Sequence, residues 1–301
     1  MQPPQGPRYN PPLNPDAFPA VEPEEAFMAG RRSPAAVFAA CLVSVQLFAA
    51  APPKVLETTD VSGETRLALA IPEGSKLELK GVFGEVEVLP AAGEESIIEI
   101  ARQSAVSEPQ LVLLRHENGY TLCAVHPSPN PKKPNECVPG KKGRMFEGNR
   151  KEWPRVNFTI SVPEGIDVMT LLAGGRIAAR TGINNLDLEM QWGDIFVHDE
   201  GSLSIDARTG GNINAVLSDR SWLPKTRGVR FYSLGGNIDV TVPKTLPIHY
   251  WIYSDQPVRS AFKLAAKESG LQQGTAGPPS ETEMHIRLES VLLGKITIRH
   301  P

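Results

Sequence analysis

Beyond about residue 60, apolar and polar positions alternate in short runs that stop at glycine or proline. LDLEM at 186–190, LSIDA at 203–207 and HYWIY at 249–253 are examples. A period of two over four to eight residues marks half-buried β-strands. Superimposed on it is a longer repeat, in which a glycine, a small or polar residue and then Ile or Val recur at Gly84, Gly175, Gly193, Gly211, Gly236 and Gly294. The steps from 175 to 193 and from 193 to 211 are each 18 residues, and the next is 25, its excess carried by DRSWLPKTRG at 219–228. One 18-residue unit holds two strands and two turns, enough to go out and back and return one strand spacing further along. Stacking such units predicts an internal column of Ile177, Ile195, Ile213 and Ile238, faced by Leu186 and Leu188 and by Leu203 and Ile205. The fold class expected is therefore all-β: a β-solenoid or closely related stack of β-strand repeats, forming one elongated domain over 60–301. A longer echo supports duplication, since the Pro of Ile71-Pro72-Glu73-Gly74 precedes Gly84 by twelve residues and the Pro of Val162-Pro163-Glu164-Gly165 precedes Gly175 by twelve. Val242-Pro243 opens a looser third copy.

Composition agrees with short strands and frequent turns, with 26 Gly and 28 Pro in 301 residues and only 6% aromatics. Basic and acidic residues nearly balance, 31 against 34, so no global field points to nucleic acid. The first fifty residues differ from the rest. Residues 1–27 are proline-rich and without apolar periodicity, a disordered leader or a misread start. From Met28 the chain reads as a signal peptide: Arg31 and Arg32, an apolar stretch from Ala35 to Phe48, and a small-residue exit at Ala49 to Ala51. A signal anchor over 28–51 is the alternative, in which case the membrane is met only through this segment. Either reading puts the remainder in an extracytoplasmic, oxidising compartment: periplasm, cell envelope or beyond. Of the three cysteines, Cys41 lies in the signal, leaving Cys123 and Cys137 to form a disulfide across a proline-rich loop.

IPEGSKLELKGVFGEVEV, the pair TLCAVHP and NECVPG, VNFTISVPEGIDVMTLLAGGRIAARTG and the GDIFV and GGNIDV units together resemble the bacterial putative-adhesin family, a domain of unknown function built of repeating β-strands. The resemblance covers about 60–301 and is strongest over 156–243. It implies a bacterial envelope or secreted protein of repetitive β fold, and it brings no catalytic residues.

The residues themselves give little foothold for catalysis. Gly-Gly-Asn-Ile at 210–213 and 235–238 is followed by strand-like alternation and not by a helix, so it reads as a turn glycine beside a core isoleucine and not as a phosphate loop. Asp194, His198, Asp199 and Glu200 lack the spacing of a calcium or acid–base site, and Asp199-Glu200-Gly201 reads as a solvated turn. The six histidines are scattered, and neither metal nor cofactor is expected. A polysaccharide-cleaving groove would need carboxylates on consecutive repeats, for which Asp187, Asp194, Asp206 and Asp239 are the candidates. The expected role is surface binding. The loop 126–155 carries a local excess of basic residues, including Lys132, Lys133, Lys141, Lys142 and Arg144, and with Trp153, and Trp222 in the 219–228 loop, it forms the candidate contact surface for an anionic envelope polymer or other surface partner. Trp251, alternating with Tyr250 and Ile252, reads as strand packing. Self-assembly through open sheet edges is the structural alternative.

Overall fold

A computed structural model describes residues 53–102, 109–128, 130–141, 154–182, 185–220, 228–266, 271–276, 284–292 and 294–301. The expected leader at 1–27 and signal at 28–51 lie outside these residues. Among the described residues every regular element is a strand. In chain order they are β1 (Val55–Asp60), β2 (Arg66–Leu69), β3 (Lys76–Lys80), β4 (Phe83–Pro90), β5 (Ser96–Arg102), β6 (Gln110–His116), β7 (Gly119–Val125), β8 (Val156–Val162), β9 (Asp167–Leu172), β10 (Gly174–Thr181) and β11 (Asn185–Met190). They continue as β12 (Gly193–Asp199), β13 (Ser204–Thr209), β14 (Ile213–Leu217), β15 (Gly228–Ser233), β16 (Ile238–Thr241), β17 (Ile248–Ser254), β18 (Arg259–Ser260), β19 (Ala265–Ala266), β20 (Leu271–Ala276), β21 (Met284–Ser290) and β22 (Ile296–Arg299).

Successive strands alternate between two open, mixed sheets through the repeat region. The larger sheet runs β1-β6-β7-β3-β9-β11-β13-β15-β21-β17-β20-β19, and the smaller β18-β22-β16-β14-β12-β10-β4-β8-β5-β2. In the middle of each, successive layers pair in parallel: Leu186 with Ile205, 19 residues apart, in one sheet, and Ile177 with Ile195 and Ile195 with Ile213, 18 apart, in the other. The isoleucine column continues through Ile238 to Ile296, and its members are fully buried. Opposite it stand Leu186, Leu188, Ile205 and Ala207, all within the same hydrophobic cluster. Leu203 is not among them. It precedes β13 and is only half-buried, so the inward positions of that run are Ile205 and Ala207.

The order of strand pairs in space departs from chain order at both ends. β7 and β8 lie outside β3 and β4, and β21 and β22 are inserted between β15 and β16 on one side and β17 and β18 on the other. Antiparallel strands then flank the parallel region: β6 and β1, β5 and β2, and at the other end β20 and β19. The two Pro-Glu-Gly turns lie side by side, the Gly74 N–H donating to the Gly165 carbonyl at 2.8 Å.

The recurrent glycines form one column of backbone on backbone. A β-carbon on Gly175 would lie 1.7 Å from the Gly84 carbonyl oxygen, on Gly193 2.0 Å from that of Gly175, on Gly211 2.2 Å from that of Gly193, on Gly236 2.2 Å from that of Gly211, and on Gly294 2.0 Å from that of Gly236. Gly175 and Gly193 also have φ of 126° and 124°, where L side chains are strained. Two ladders run beside the column. Thr209 and Ser233 donate hydroxyl hydrogens to the carbonyls of Gly193 and Gly211, each at 2.7 Å. Asp194, Asn212 and Asn237 each accept the backbone N–H of the corresponding residue one layer on, at 2.9 to 3.0 Å. The local chemistry of Gly-Gly-Asn-Ile is thus used in full: close approach, side-chain ladder, core.

Gly193→Ala is expected to destabilise the protein by about 3 kcal/mol or more in urea unfolding, from overpacking and an unfavourable φ. Gly63→Ala, where a β-carbon meets nothing within 4 Å, should change stability by less than about 0.5 kcal/mol.

Candidate functional site

The outer side of the larger sheet carries the richest chemistry among the described residues. On β3, Leu77 and Leu79 point into the core, and the alternation places Lys76, Glu78 and Lys80 on the other side. Glu78 and Lys80 are nevertheless buried, because the segment 126–141 folds across them. The Lys80 ammonium donates to the carbonyls of Val138 and Gly140, the latter at 2.8 Å. The Gly140 N–H donates at 2.7 Å to Glu78 Oε2, which also accepts the Thr121 hydroxyl at 2.8 Å. One peptide residue is therefore gripped from both its polar sides by a buried acid and a buried base.

The Cys123–Cys137 disulfide, with Cα atoms 5.7 Å apart, closes the same segment covalently onto β7. Cys123 pairs in register with Lys80, so the covalent and polar anchors act on adjoining strands. Two histidines complete the buried network. His116 Nδ1 accepts the Asn118 N–H, so its Nε2 carries the proton shared with Thr121 Oγ1 at 3.1 Å. His126 Nε2 donates to the Gly81 carbonyl, and its own carbonyl accepts from Asn135 Nδ2. Burial pushes both imidazoles below their ordinary range. It also pushes the Lys80 ammonium down to about 8, with Glu78 opposing the shift.

Of the expected contact residues, Lys132 and Lys133 are exposed at a tight turn in which Asn130 Oδ1 accepts the Lys132 N–H and Ser128 donates to the Lys133 carbonyl at 2.8 Å. Lys141 instead reaches Asp187 at 2.9 Å. Lys142, Arg144, Trp153 and Trp222 lie outside the described residues. Further along the same face, Asp187, Glu189, Asp206 and Glu289 are matched by Lys141, Arg208, Arg230 and Arg287. Arg208 binds Asp206 and lies 4.0 Å from Glu189; Arg230 lies 3.2 Å from Glu289, which Arg287 also binds. Burial pushes the Glu189 carboxyl up.

The carboxylates considered for polysaccharide cleavage separate into two groups. Asp187 and Asp206 stand in register on neighbouring strands of the larger sheet, whereas Asp194 and Asp239 belong to the smaller sheet. There Asp194 caps Asn212, and Asp239 pairs with Arg299. Asp199 is fully buried, contrary to the solvated turn expected of it: its Oδ1 accepts the N–H groups of Gly201 and Ser202 and shapes the turn from inside. Glu200 pairs with Arg180 at 3.0 Å, and His198 is exposed. Trp251 lies in strand β17 and packs on His285 of the neighbouring strand, as expected of it, though on the outer side of the sheet. Ile248, Tyr250 and Ile252 take the core side of β17, leaving His249, Trp251 and Tyr253 on the outer side.

Replacing Cys137 by Ser should cost about 3 kcal/mol and speed amide exchange over 137–141 while leaving the glycine column protected. The histidine shifts give stability that is complete above about pH 6.5 and falls as pH drops through the lower folded values, because the unfolded chain then binds more protons. Lys80 acts in a separate window: its folded value near 8 lies below the ordinary 10.5, so stability rises as pH climbs between the two. Urea midpoints measured from pH 5 to 10 check both signs, and Lys80→Met should abolish the alkaline rise.

No protein family matches the chain, and no curated protein matches it. Among solved structures, the chain is similar to a putative cell adhesion protein from Clostridium sporogenes, at 15% identity and a TM-score of 0.42, with 83% of this chain and 100% of that one covered. It is also similar to a putative adhesin from Bacteroides fragilis, at 12% identity and a TM-score of 0.31, with 81% of this chain and 97% of that one covered. Both likenesses are distant, and neither carries a functional argument.

Proposed function

We propose that this chain is an extracytoplasmic, non-catalytic surface-binding protein of adhesin-like role, in which the stacked strand pairs are the coils of a β-solenoid. The covering segment presents Lys132 and Lys133 to an anionic envelope polymer. The observation that carries this reading is the anchoring of 126–141 by both a disulfide and a buried Glu78–Lys80 grip, with the two lysines left exposed at its turn. A disulfide suits an oxidising compartment, and a loop fixed at this many points presents its charges at little cost in ordering. The non-catalytic part rests on the carboxylates: Asp187, Asp206 and Asp239 are each tied to a cation, and Asp194 to the backbone and side chain of Asn212.

A second reading, assembly with further copies, is favoured by β1. All six of its residues are exposed, Leu56 at 51%, and it is the terminal strand of the larger sheet among the described residues.

Polygalacturonate-coated beads should retain the wild-type protein at low salt and release it as salt rises, with the Lys132→Glu, Lys133→Glu double variant bound at least tenfold more weakly at unchanged thermal stability. Equal retention of the double variant argues against the basic contact. Size-exclusion chromatography decides the second reading, since a clean monomer removes it.

A further inference from the structure

The far end of the larger sheet's outer face, away from the covering segment, carries an arrangement that the basic loop does not use. We propose that β17 and β21 form a binding site for a neutral, flat-ribbon polysaccharide, whose sugar rings stack on Trp251 and Tyr253.

The platform is fixed by its strand. Ile248, Tyr250 and Ile252 are fully buried on the inner side of β17, so the strand cannot roll, and the residues between them are held outward at a spacing of about 6.7 Å along the strand. β17 is also an interior strand, paired on one side with β21 and on the other with β20. Tyr253 is 42% exposed, one of few large hydrophobic side chains so placed among the described residues, and Trp251 is half-buried. The Trp251 ring is oriented by its neighbours, stacking on His285 with centroids 4.8 Å apart and lying 4.3 Å from His249. An aromatic side chain held this way offers a large contact area with little conformational entropy left to lose.

Hydrogen-bonding groups flank both rings in register. Arg287 stands beside Trp251 and Glu289 beside Tyr253 on β21, and Gln273 lies beside Trp251 on β20. Arg287 and Glu289 are bound to each other, and Glu289 also holds Arg230, so their positions are set before any ligand arrives. This alternation of ring and polar group matches a sugar, which presents C–H faces to an aromatic plane and hydroxyls at its edge. The charge balance selects among polymers. Arg230 and Arg287 share Glu289, and Arg230 also stands in register with Asp206. Along this outer face Asp187, Glu189, Asp206 and Glu289 offset Lys141, Arg208, Arg230 and Arg287, so a polyanion meets no net positive field, and charged side chains interrupt the apolar area a lipid surface would need. A neutral polyhydroxylated chain remains. The site is separate from Lys132 and Lys133, so it can fail or hold independently of the anionic-polymer reading.

The test is isothermal titration calorimetry of the full protein with chitohexaose and with cellohexaose, two neutral β-linked ribbons. Binding is expected for at least one, weakened tenfold or more in Trp251→Ala and in Tyr253→Ala, retained within about threefold in Trp251→Phe, and unchanged in the Lys132→Glu, Lys133→Glu variant. Tyr253, being exposed, keeps the test valid if Trp251→Ala does not fold. The proposal is overturned if neither hexasaccharide binds at about 1 mM, or if both alanine variants bind as tightly as wild type.

Discussion

The contact on which the rest depends is between backbones. From Gly84 to Gly294, each glycine places its carbonyl oxygen where the next one's β-carbon would be, so the layers meet there without any side chain between them. That approach locks the register of every parallel pair beyond it, since a slip of one residue would put a side chain into the column and turn the isoleucines outward. The hydroxyls of Thr209 and Ser233 and the amides of Asn212 and Asn237 then repeat at one layer per step, satisfying polar groups that the close packing removes from water.

A locked register also aligns the outer faces. Side chains one layer apart become neighbours in a row, so charges either pair or repel along the sheet. On the larger sheet the row sets Asp187 beside Asp206 and Arg230 beside Arg287, and relief comes from Arg208–Asp206 and Arg287–Glu289 within strands and from Arg208–Glu189 and Arg230–Glu289 between them. These pairs are mostly half-buried, and they hold long side chains in defined positions. Glu78 and Lys80 are different, because the covering segment removes them from solvent. Burying two charges is costly, and the structure offsets it by giving them the backbone groups of one loop. The result is a specific seat for 126–141.

The glycine column and its isoleucines were legible because the constraint is local: Gly-x-Ile must recur wherever two backbones touch. The spatial rearrangement at the ends was not, since the pairing of β3 with β7, or of β17 with β21, involves strands whose own sequences look like any others. KLELK shows alternating charge, which by itself reads as a solvated face; only the loop from a distant part of the chain makes Glu78 and Lys80 interior. Asp199 misled for a local reason, its carboxylate being turned inward to the backbone of its own turn. Trp251 sits in a run where aromatic and aliphatic residues are continuous, so the alternation that separates faces is hidden until the neighbouring strands fix which side is in.

The insertion of β21 and β22 between earlier strand pairs has a consequence in time. The ribosome makes β17 and β18 before the strands that separate them from β15 and β16, so the structure cannot close in the order of its synthesis. Until residues 284–299 arrive, the inner sides of Val229 and Phe231 on one flank and Tyr250 on the other lack the Ile286 and Leu288 that join them in the core. β21 and β22 act as a keystone. A chain of this topology closes its core only once residues 284–299 have been made, and until then the strands on either side of the gap wait with their apolar flanks unpartnered by β21 and β22.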